Sequence, residues 1–141
     1  MSVLDYSNLL IQLATYLAAQ AGLTYTGTPR QVWAHEVVEA DADVVYSALR
    51  ISGGQVPITP QVKVSIQCRT TGRGVAAAMA QSQALFNGLL NATGEPWRAR
   101  QIATGLRANA VDPQQPPSFL GLDDRGRAMV VFNFDLRVVP A

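Results

Sequence analysis

From Ala128 to Val138 the chain alternates residue by residue. Ala128, Val130, Phe132, Phe134, Leu136 and Val138 fall on one side, while Arg127, Asn133, Asp135 and Arg137 fall on the other. A period of two predicts a strand with one buried face. The same alternation places Val62, Val64, Ile66 and Cys68 opposite Gln61, Lys63, Ser65, Gln67 and Arg69. Helical spacing appears instead at Leu9, Leu10, Leu13, Tyr16 and Leu17. It predicts a helix over Leu4–Gln20, opened by the capping pattern of Ser2 and Asp5 and stopped at Gly22. A second helix is expected after Thr70-Thr71-Gly72-Arg73-Gly74, with Val75, Met79, Ser82, Phe86 and Leu89 on one face and an end over Asn91–Gly94. Ala76, Ala77, Ala80 and Ala84 form a small face that another element, of this subunit or a neighbour, could approach closely.

Between these elements, Gln31–Val38 and Val44–Ile51 read as strands, the latter closed by Ser52-Gly53-Gly54 and a loop holding Pro57 and Pro60. Trp97–Gln101 reads as a connection or short strand. Leu106–Val111 reads as a strand leading into a proline-rich approach, Asp112–Pro117, and an Asp-Asp-Arg-Gly turn. The order is helix, three strands, helix, strand and long C-terminal strand. One wet face per strand indicates a mainly antiparallel sheet. The fold class is α+β, with two helices packed on one face of the sheet. At 141 residues the chain fits one domain, 1–141.

Charged residues are 15% of the chain, below the usual quarter, which points to a surface partly covered by other chains. The net charge of +1 argues against general nucleic-acid binding, which needs a basic face. Lys63 is the only lysine among the 11 basic residues; this arginine bias suits either subunit contacts or a GC-rich genome. Cys68 is the single cysteine, so no intrachain disulfide forms, and its strand position marks it as a small buried hydrophobe. No secretory signal is expected at the N-terminus, and no run approaches the roughly 20 apolar residues needed to cross a membrane.

No constellation carries chemistry. Glu36, Glu39, Asp41 and Asp43 crowd one stretch, but without the glycine or spacing of a calcium loop, so a solvated loop is the reading. His35 is the only base that could activate Cys68, and no third group orients it. The glycines at 72 and 74 lack the Gly-Lys-Ser/Thr ending of a phosphate loop. No catalytic residue, metal site or cofactor is assigned.

Three features together resemble the tail-terminator, or minor capsid, proteins of long-tailed bacteriophages. They are the Leu9–Leu17 helix ending in Ala19-Gln20-Ala21-Gly22-Leu23, the Val62–Arg69 strand leading into Ala76–Leu90, and Pro117–Arg127 followed by Phe132-Asn133-Phe134. The segment Glu95–Ala110 departs from the likeness in being richer in arginine. The resemblance implies a virion protein, made and assembled in a bacterial cytoplasm, that forms a six-fold ring at the head-proximal end of the tail tube. Such a ring ends tube growth and offers a docking face to head-completion proteins. Its partners are its own copies, the major tail tube protein and a stopper, while DNA passes through without specific recognition. On that reading Phe119 and Leu120 supply apolar contacts, and Arg125 and Arg127 pair with carboxylates from the Glu36, Glu39, Asp41, Asp43 stretch. The alternatives are a head-side connector or stopper, a small α+β enzyme and a non-viral binding module.

Overall fold

The computed structural model describes residues 5–26, 30–35, 44–54 and 62–140. Helix α1 spans Tyr6–Ala21, and Asp5 caps it: its carboxylate accepts the Asn8 N–H at 3.1 Å. Ser2, expected to share that role, lies outside the described residues. Gly22 ends the helix at φ 70°, a left-handed turn that glycine enters without a Cβ penalty. The Leu23 N–H reaches the Ala18 carbonyl at 2.9 Å and the Gly22 N–H reaches that of Ala19 at 3.3 Å, so the last turn is tied off.

Strands β1 (Val32–Ala34), β2 (Tyr46–Gly54), β3 (Val62–Gly72), β4 (Arg98–Ala103), β5 (Leu106–Leu122) and β6 (Ala128–Pro140) form one sheet in the order β1-β2-β3-β6-β5-β4. Every pairing is antiparallel except that of β1 with β2. Helix α2 (Val75–Asn87) covers β3, β6 and β5, whereas α1 packs on β1, β2 and β4. Because β1 and β4 are the two edges of the sheet, α1 touches both only if the sheet curls around it. Leu9, Leu10, Leu13 and Leu17 of α1 enter that curl and share one core with Ile66, Phe132, Phe134 and Leu136.

Several boundaries differ from expectation. His35, at φ 70°, follows directly on β1, and Glu36–Val38 lie outside the described residues. Ser52, Gly53 and Gly54 continue β2 through a register shift instead of closing it. Thr70–Gly72 extend β3 and do not open the helix, since β2 and β6 offer ladder partners on both sides. The buried face of α2 is Ala78, Gln81, Ser82 and Leu85, whereas Val75 is exposed. Gln81 explains the turn of that helix. Its amide donates to Ser47 Oγ at 3.0 Å, and Ser47 Oγ lies 2.7 Å from Thr70 Oγ1, a buried polar set that apolar periodicity alone could not anticipate. Ala76, Ala77 and Ala80 face outward, so this subunit's sheet is not what they admit.

The largest departure is β5, which runs on through Pro113, Pro116 and Pro117 to Leu122. Strand β4 stops pairing with it at Ala110, so beyond Val111 β5 is an edge strand with β6 alone beside it, and the register shift between Gln115 and Ser118 leaves Pro116 and Pro117 without a β6 partner. Four register shifts against β6 absorb the irregularity. Trp97, just before β4, is fully buried; its indole N–H donates to the Gly88 carbonyl at 2.9 Å, and its ring meets Tyr16 edge-on. Trp97→Ala is expected to cost about 3–5 kcal/mol, from cavity formation and an orphaned carbonyl. Urea unfolding checks it, with the midpoint falling at unchanged slope.

Candidate interaction surface at the hairpin end

The turn joining β5 to β6 is organised by Asp123. Its Oδ1 accepts the N–H groups of Arg125 (2.9 Å) and Arg127 (2.8 Å), and its Oδ2 accepts the Arg127 Nε–H at 2.8 Å. Gly126, at φ 74°, takes the left-handed position that closes such a turn, and the Asp123 N–H bonds back to the Arg127 carbonyl at 2.8 Å. These bonds, the Arg127 backbone N–H foremost, hold the Asp123 carboxyl below the ordinary carboxylate range. Arg127 then lies over the Tyr46 ring at 5.4 Å, fastening the turn to β2.

Arg127 is thus engaged within its own subunit, through Asp123 and Tyr46, while Arg125 is exposed. Glu36, Glu39, Asp41 and Asp43 lie outside the described residues. Phe119 and Leu120 do not close the core: they are 52% and 53% exposed, and Leu122, which the sequence reading left aside, is 62% exposed. Phe119 pairs across from Val130, and Leu122 from Ala128. Cross-strand partners share a face. Both therefore lie on the helix-bearing side, where Ala78 packs on Ala128 and Val130. Leu122 was legible in principle as the last apolar residue before a turn, but ending the strand at Val111, before the proline-rich approach, hid its strand position.

The opposite face of the sheet bears no helix among the described residues and carries charged side chains. Lys63 sits opposite Arg137, and Asp112 opposite Asp135. Asp135 is held by Ser65 Oγ at 2.6 Å and Lys63 Nζ at 3.4 Å. A cleft of about 630 Å³ on this side is lined by Glu95, Arg98, Asp112 and Arg137 among others, with no cysteine or histidine. Cys68 and His35 do not form a catalytic pair. Burial pushes the Cys68 thiol up to about 12, while exposed His35 sits 3.3 Å from the Ser7 hydroxyl. Among the described residues no group of His, Cys, Asp or Glu could hold a metal ion, and no helix is long and apolar enough to cross a membrane.

No family model matches this chain, and no curated protein does. Among solved structures, a chain of the virion of native gene transfer agent particle is similar in fold, with a TM-score of 0.57 at 17% sequence identity. The likeness covers 96% of this chain and 99% of that chain, so it spans the whole architecture and not one motif.

Asp123→Ala is expected to free the Arg125 and Arg127 amides, seen as faster hydrogen exchange at those two sites with core amides unchanged. Because folding lowers the Asp123 pKa, its contribution is full at neutral pH and fades as pH falls through the depressed value. Acidification should therefore mimic the variant. A second expectation concerns Cys68: at pH 7 the folded protein resists alkylation, and the thiol reacts once urea unfolds the chain.

Proposed function

We propose that this chain is a structural component of a phage-like virion, a tail terminator that assembles as a six-fold ring on the head-proximal end of the tail tube. The observation that carries the reading is the end-to-end likeness of fold to a chain of the gene transfer agent virion, 96% against 99% coverage. The three sequence features that resemble tail terminators support that position within the virion. The ring stops tube growth and presents its far face to head-completion proteins, and DNA passes through its opening.

The mechanism is geometric. Head-to-tail contacts between identical subunits close into a ring when the rotation per subunit fits and otherwise grow filaments. Exposed Phe119, Leu120 and Leu122 supply apolar anchors for that contact. Arg125 is exposed on the turn, and on this reading it pairs with a neighbour's Glu39 or Asp41. A net charge of +1 suits a channel through which DNA moves without being held.

Native mass spectrometry with negative-stain imaging tests the assembly. The expected result is a closed six-membered ring that weakens on Arg125→Glu while the subunit stays folded. A stable monomer at micromolar concentration contradicts it.

A further inference from the structure

On the face of the sheet away from the helices, at its β1 edge, three arginines gather around one small residue. Val32 and Leu49 point into the core. Their neighbours Trp33 and Ala48, paired across β1 and β2, therefore lie on the other face. Ala48 pairs in turn with Arg69 of β3, and Arg50 follows two positions along β2 on the same face. Neighbouring strands run about 4.8 Å apart, so Trp33 and Arg69 stand about 10 Å apart with the Ala48 methyl between them. Arg50 and Arg69 are exposed, and Ala48 is half-buried.

The third arginine, Arg30, is clamped. Its guanidinium carbon lies 4.2 Å from the centre of the Tyr25 ring and 4.4 Å from that of Trp33. Its Nε–H donates to the Val32 carbonyl at 3.1 Å, and the Trp33 indole N–H donates to the Arg30 carbonyl at 3.3 Å. Rings and backbone thus fix the guanidinium, while among the described residues nothing bonds its two Nη groups. A guanidinium so fixed presents the planar fork that takes a carboxylate through two parallel bonds. Elsewhere the cations have counter-ions: Lys63 has Asp135 at 3.4 Å and Arg127 has Asp123 at 2.8 Å. Among the described residues no carboxylate pairs with Arg30, Arg50 or Arg69.

We propose that this patch is a docking site for an acidic segment of a partner protein, with one carboxylate taken by Arg30 and others met by Arg50 and Arg69. Charge complementarity selects the occupant. Nucleic acid fits less well. Arg30 itself covers the rings of Tyr25 and Trp33 that would otherwise stack bases, and a net charge of +1 supplies no track for successive phosphates. The patch lies on the face of the sheet opposite Phe119 and Leu122, so the inference stands apart from the ring contact.

Fluorescence anisotropy at low salt with a short dye-labelled peptide of alternating glutamate and serine tests it. Saturable binding is expected, at least tenfold tighter than to the matched glutamine peptide. Arg30→Gln should weaken it at least fivefold, and so should Arg30→Lys, which keeps the charge and loses the fork. Arg69→Gln, at an exposed position, should weaken it without touching the ring clamp, whereas Arg107→Gln, exposed on β5, should bind as wild type. Unchanged binding by Arg30→Gln, Arg30→Lys or Arg69→Gln overturns the proposal, as does a wild type that does not bind. Equal or tighter binding of an oligothymidylate of the same charge overturns it in favour of phosphate recognition. Binding that appears only after Glu36, Glu39, Asp41 and Asp43 are replaced by Gln and Asn overturns it in favour of the chain's own acidic stretch as occupant.

Discussion

The insertion of α1 into a curled sheet is the constraint on which the rest depends. Four leucines at helical spacing fill the curl, and because α1 touches both edge strands it fixes how far the sheet can close. Trp97 seals the same seam, bonded to the Gly88 carbonyl and edge-on to Tyr16. With α1 in place, β6 lies at the centre of the core, paired along both sides, and β5 is carried outward as its hairpin partner. The exposed apolar end of that hairpin is therefore held by the most deeply paired part of the fold. On the proposed reading, a surface so supported loses little freedom on docking, which favours binding.

Strict alternation made β3 and β6 legible in sequence, and the leucine spacing with Gly22 made α1 legible. In each case one physical period dominates the local sequence. What stayed hidden depended on tertiary context. Nothing local says that Pro113, Pro116 and Pro117 lie in a strand; they are tolerated because β4 ends early and because the β5–β6 register shifts between Gln115 and Ser118. Nothing in the apolar period of α2 says that Gln81 faces inward; Ser47 and Thr70, remote in sequence, make that polar position buried. Trp97 looked like part of an arginine-rich connection, and only the packing of α1 and the end of α2 shows it to be core.

The candidate interaction surface was partly legible for a similar reason. Phe119 and Leu120 could be singled out as apolar residues beside a turn, but their exposure follows from where α2 stops covering the sheet. Arg125 and Arg127 looked equivalent in sequence. The Asp123 turn separates them, engaging Arg127 through a bond to the carboxylate and the Tyr46 ring while leaving Arg125 outward. Both helices are free of charged side chains, while the face of the sheet away from them carries Lys63 and Arg137, and Arg100 reaches the helical side to bond the Tyr16 hydroxyl.

The most direct measurement of the terminator reading is the length of tail tubes assembled from the major tail protein with and without this chain. Substoichiometric addition is predicted to stop elongation and to leave a ring at one end of each tube. Tubes of unchanged length with bare ends would contradict it.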